Sequence, residues 1–186
     1  MKKSAVLRIS FIGLMAALVF AATYIRIIIP LSVGGNTAAI HFGNVLCLLS
    51  GFILGPLYGG LSAGIGSGLY DLTNPLYMPS APFTLVFKFV MAFICGKIAY
   101  SGGKKAENIK YNIAGGITGA LVYIALYLGR DFLNNVWFLN LQVGPTLVMT
   151  GWKALASTFN AALAVAVSVP LYAALKKAFN KSGIEI

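Results

Sequence analysis

Apolar positions in this chain come in long unbroken runs, with no alternation and no 3.6-residue stripe, so the helices they predict are greasy all round. The first run covers Ile9 to Ile29 behind the basic start Met1-Lys2-Lys3 and Arg8, and Pro30 ends it. It is too long for a signal-peptide core and no small-residue cleavage site follows, so it reads as a retained helix. Residues Leu31 to Ala39 form a weakly polar, glycine-containing connection. A second run, His41 to Leu54, stops at Gly55-Pro56, and a third covers Leu57 to Tyr70. The fourth runs from Pro82 to Tyr100, the fifth from Tyr111 to Leu128, and the sixth from Pro145 to about Leu175, with a bend expected at Pro170. Polar loops are expected at Asp71–Ala81, Ser101–Lys110 and Arg130–Gly144. The second and third runs are short for spans and could form one broken hairpin inside the bundle, so six is the best count and five the alternative.

Composition turns these runs into membrane spans. Of 186 residues, 59% are hydrophobic and 10% charged, against about 45–50% and about 25% in soluble domains. At about 20 residues per crossing, the apolar content furnishes five or six spans and leaves no soluble catalytic domain or nucleic-acid module. The expected fold is an all-α membrane protein, a six-helix transmembrane bundle forming one domain over residues 1–186. The formal charge of +10 supports this once it is mapped. With six spans, Lys2, Lys3, Arg8, Lys97, Lys104, Lys105, Lys110, Lys176, Lys177 and Lys181 share one side, and Arg26, Lys88, Arg130 and Lys153 lie toward the other. Ten cations against four place both termini in the cytoplasm by the positive-inside rule.

Small residues recur at four-residue spacing: Gly13, Ala17 and Ala21 in the first helix, Gly60, Gly64 and Gly68 in the third, Gly115 and Gly119 in the fifth. Such stripes let helices approach closely. In the third and fifth helices the expected role is packing within the bundle, while the first stripe suits a partner subunit equally well.

Little here could do chemistry. The acids are Asp71, Glu107, Asp131 and Glu185, the one histidine is His41, and Cys47 and Cys95 lie in apolar runs as small core residues. No metal site and no cofactor are expected, and the phosphate-binding pattern GxxxxGK[ST] is absent: Gly96-Lys97 continues into Ile98 and Gly103-Lys104 into Lys105. The chain reads as a non-enzyme. What remains is a polar set at the outer helix ends: His41, Asn44, Asp71, Thr84, Lys88, Asn134, Trp152, Lys153 and Asn160. Ionisable groups within spans are costly. Lys88 and Lys153 therefore either line an outward ligand cavity, with Tyr70, Phe87 and Trp152 as stacking surfaces, or snorkel to the headgroups or pair with an acid such as Asp71. For His41, capping or packing competes with ligand contact.

Residues 41–99 resemble the substrate-binding S components of energy-coupling-factor (ECF) vitamin transporters. The resemblance rests on His41–Asn44, Gly55-Pro56, the glycine-rich run before Asp71, and Ala81-Pro82-Phe83-Thr84 followed by Lys88. It implies a water-soluble vitamin or precursor of the hydroxymethylpyrimidine, pyridoxine, pantothenate or riboflavin class, bound outside and delivered by toppling of the S component in a bacterial cell membrane. It also implies a transmembrane coupling subunit, docked on an AxxxA pattern that Ala17-Leu18-Val19-Phe20-Ala21 matches, two ATPase subunits on other chains, and a gate in the loop after the first helix. A stand-alone secondary transporter or channel is the alternative, and the scarcity of intramembrane acids disfavours it. Lipid is the expected surroundings, and nucleic acid is no partner.

Overall fold

The structure, a computed structural model, describes the backbone of residues 2–30 and 37–181 and, within them, the side chains of 6–26 and 41–181. Five long helices build it: α1 (Lys2–Tyr24), α2 (Gly43–Leu72), α3 (Ala81–Ala99), α4 (Ile109–Leu133) and α5 (Val143–Lys181). All five are long and apolar enough to cross a membrane.

The first helix ends earlier than its apolar run. Arg26–Pro30 is a strand, β1, paired antiparallel with β2 (Thr37–His41), so that Arg26 faces His41 across the ladder. Three consecutive isoleucines explain the change: β-branched side chains are crowded in a helix and fit a strand. Of the connection expected at Leu31–Ala39, residues 31–36 lie outside the described residues and the remainder enters β2. The outer segment expected as a loop at Arg130–Gly144 is largely helical. Helix α4 runs on to Leu133, a π-helical turn covers Asn134–Phe138, and α5 starts at Val143. Helix α5 continues through Pro170.

Helix α2 turns back on itself. Gly55 has φ 74° and ψ −172°, a region open essentially to glycine, and Pro56 starts a fresh helical arm. Arms 43–54 and 56–72 then lie side by side. The Ser50 hydroxyl donates to the Gly59 carbonyl at 2.9 Å, and Cys47 Sγ lies 3.6 Å from Ser67 Oγ. In a continuous helix Cys47 and Ser67 would be about 30 Å apart. The Tyr100 hydroxyl closes the elbow by donating to the Phe52 and Ile53 carbonyls at 3.0 and 3.1 Å.

Glycines set how closely the other helices meet. A Cβ on Gly66 would lie 2.3 Å from the Ala16 carbonyl of α1, and one on Gly64 2.7 Å from that of Leu85 in α3. Gly115 and Gly119 of α4 would clash likewise with the Cys95 and Met91 carbonyls. These stripes pack inside the bundle, as expected, with backbone against backbone. The first-helix stripe does the opposite. Gly13, Ala17 and Ala21 are exposed, while Met15, Ala16, Val19 and Ala22 on the other face of α1 are buried.

Contacts also fix which ends coincide. Helix α1 runs parallel to arm 56–72, since Ser62 donates to the Ile12 carbonyl at 3.2 Å and Tyr24 meets Thr73 at 2.9 Å. Lys176 near the end of α5 pairs with Glu107 before α4 at 3.2 Å, and Tyr100 before that connection caps the elbow. One end of the bundle therefore gathers the start of α1, the elbow, the connection 100–108 and the end of α5, with most of the lysines. The opposite end carries the strands and the polar set.

A candidate ligand cavity

At that opposite end a cavity of about 220 Å³ lies between the strands and α2, α3, α4 and α5. Seven of the nine residues expected from sequence line it: His41, Asn44, Asp71, Thr84, Lys88, Lys153 and Asn160. Trp152 and Asn134 do not: Trp152 is 49% exposed on the outer face of α5, and Asn134 opens the π-helical turn.

Lys88 is the best-buried charge, at 3% exposure. It neither snorkels nor pairs directly with Asp71. Its Nζ donates to Asn44 Oδ1 and stands 3.6 Å from the centre of the Tyr123 ring. A desolvated cation over an aromatic face gains about 2 kcal/mol, which offsets part of its burial cost. An ammonium has three donors. With one on Asn44 and another toward the Tyr123 ring, one is left for a ligand. The lysine reaches this depth because Ala81-Pro82 starts α3 about two turns earlier, so position 88 points back into the bundle.

Lys153 finds its acid in Asp131, at 2.8 and 2.9 Å from the two carboxylate oxygens, and Asn135 Nδ2 adds a third contact to that carboxylate at 3.3 Å. Asn160, 7% exposed, accepts from the His41 backbone N–H at 3.2 Å and so ties the strands to α5. His41 Nδ1 is buried with no hydrogen-bond partner among the described residues. Burial, then the positive charges of Lys88 and Arg26, hold the imidazole pKa down at about 3. His41 is therefore neutral at physiological pH and offers one nitrogen as acceptor. The Thr84 hydroxyl lies beside the Asp71 carboxylate.

Several lining residues were not singled out from sequence: Thr23, Arg26, Ser67, Tyr77, Tyr123 and Tyr127. Arg26 Nη1 donates to the Tyr77 hydroxyl at 3.3 Å, and the guanidinium lies 5.7 and 5.5 Å from the Tyr70 and Tyr77 ring centres. Tyr123 and Tyr127 stack at 6.0 Å. A signal for them existed, because they continue the four-residue spacing of Gly115 and Gly119 along the same face of α4. Chemically, the cavity offers flat aromatic walls, cationic donors and a neutral imidazole. Among the described residues, no cluster of His, Cys, Asp or Glu could hold a metal ion.

A family model described as ECF-type riboflavin transporter, S component, matches residues 3–177. A protein of Pyrococcus woesei, described as an uncharacterized protein in gap 3′ region, is 31% identical over 106 residues, covering 57% of this chain and 70% of its own length.

Proposed function

Because the chain belongs to the family of S components of ECF-type riboflavin transporters, we propose that it captures a single-ring vitamin or vitamin precursor in the cavity around Lys88. Membership makes it a transporter subunit of a vitamin importer in a membrane. The substrate reading rests on one observation, the size and lining of the cavity. At about 220 Å³ it is smaller than the roughly 300–1,000 Å³ of sites for drug-sized ligands. That volume suits one substituted pyrimidine or pyridine ring better than a three-ring flavin with its polyol chain. Tyr70 and Phe87 offer stacking surfaces. Lys88 donates to a ring nitrogen or hydroxyl oxygen, and His41 Nδ1 accepts from a hydroxyl or amine. Riboflavin, the vitamin in the family's description, is the second reading and requires the strands to swing away.

Counting arms 43–54 and 56–72 separately gives six crossings, with both termini at the lysine-rich end, which the positive-inside rule assigns to the cytoplasm. The cavity then faces outward, under the strands. The exposed stripe Gly13, Ala17 and Ala21 is the docking face for a transmembrane coupling subunit, and ATP is hydrolysed by two partner chains. Delivery is by toppling of the whole subunit within that complex, in the cell membrane.

Mass spectrometry of small molecules released from the purified chain, followed by titration with hydroxymethylpyrimidine, pyridoxine, pantothenate and riboflavin, tests the reading. Retention of a pyrimidine or pyridine at submicromolar affinity is expected. Tight riboflavin binding alone would replace the first reading with the second, and no ligand among the four would overturn both.

A further inference from the structure

We infer a second binding site, for an anionic phospholipid, at the lysine-rich end between α4 and α5. Two hollows adjoin there, with Ile109 and Val169 lining both. The first, about 480 Å³, combines apolar walls with most of the polar side chains of this pair of hollows. Lys177 and Lys181 line it and are exposed, with no acidic partner among the described residues, whereas Lys176 is taken by Glu107. Asn112 also lines it, at 4% exposure. Its Nδ2 donates to the Ala106 carbonyl at 2.8 Å, and its Oδ1 has no partner among the described residues. A buried acceptor left unpaired costs about 1–3 kcal/mol, so a ligand bringing a hydroxyl donor there is favoured.

The second hollow, about 590 Å³, is almost wholly apolar. Ile113, Ile117 and Leu121 of α4 face Ala162, Val165 and Ala166 of α5 across it, and small residues on one wall make room between the helices. From Ile109 to Ile124 it runs roughly 22 Å along the helix axis, more than half of an apolar core about 30 Å thick. Charge complementarity decides the occupant. A phosphodiester fits Lys177 and Lys181, a headgroup hydroxyl fits Asn112 Oδ1, and one acyl chain fits the groove below. Phosphatidylglycerol has all three features. The substrate cavity at the opposite end shares none of these residues.

Native mass spectrometry of the full chain in detergent tests this with phosphatidylglycerol, phosphatidylcholine of the same acyl chains, and inorganic phosphate. Phosphatidylglycerol is expected to remain bound at least about tenfold more tightly than phosphatidylcholine, and phosphate neither to bind nor to displace it. The double variant Lys177→Gln/Lys181→Gln should weaken phosphatidylglycerol about tenfold or more and leave phosphatidylcholine unchanged. Ala166→Phe, at an exposed position in the groove, should weaken both lipids. Equal retention of the two lipids, indifference to the lysine pair, or displacement by millimolar phosphate would overturn the inference.

Discussion

Lys88 shows how a residue's surroundings convert a sequence anomaly into a testable role. A lysine within an apolar helix has several outlets, and this one takes none that leads to water: it is held between Asn44 and the Tyr123 ring. Lys88→Met keeps the volume of the stem and removes the donors. Affinity for the retained ligand should fall about tenfold to a hundredfold, the equivalent of one hydrogen bond to a charged group, measured by calorimetric titration. Trp152→Leu, on the outer face of α5, should leave that affinity unchanged. His41 carries a pH prediction. Its pKa of about 3 in the fold lies below the value near 6.5 of a free imidazole, so the unfolded chain takes up a proton first as pH falls. Its contribution is intact above about pH 6.5 and drains away toward pH 3. The unfolding midpoint should therefore drop between pH 7 and 5, and drop less in His41→Asn, as followed by thermal unfolding in detergent. Polar residues stranded in greasy runs advertise themselves, which is why seven of nine expected positions line the cavity. Tyrosines carry no such polarity signal, since an aromatic in a span is equally at home against lipid, and only the spacing of Tyr123 and Tyr127 with Gly115 and Gly119 marks them.

Among the elements, the apolar runs predict the helices well and their ends poorly. Length and hydropathy mark out where a span must lie, but just past Tyr24 the chain passes from helix to strand with only Arg26 interrupting the apolar run. Arg26 and the β-branched triplet 27–29 mark the switch, and both fall inside the first apolar run. Gly55-Pro56 was legible as an interruption. Its backbone geometry predicts the cost of altering it: Gly55→Ala should destabilise by about 1–3 kcal/mol, since φ 74° with ψ −172° strains any side chain. For a chain of this size that is a loss of several degrees in unfolding temperature. Ligand affinity at the far end should be largely retained in the molecules that remain folded, and a selective loss of binding without loss of stability would contradict a purely structural role for this glycine at the elbow.

At the level of the whole molecule, α1 presents one face to the bundle and leaves the Gly13, Ala17 and Ala21 stripe uncovered. Ala17→Trp should abolish copurification with a coupling subunit while ligand binding by the isolated chain persists. Loss of binding with assembly intact would reverse the assignment. The glycine contacts at Ala16, Leu85, Met91 and Cys95 carry a mechanical consequence. Sliding between helices needs a layer of side chains that can change rotamer and re-engage one notch along. Where carbonyl oxygens already touch the neighbouring glycine backbone, that layer does not exist, and a displacement of even one ångström forces a collision or opens a gap. Jointed in this way, α1, α2, α3 and α4 have no shear plane between them. Such a block suits the proposed toppling, in which energy supplied by partner chains would change which way the cavity points and leave its walls as they are.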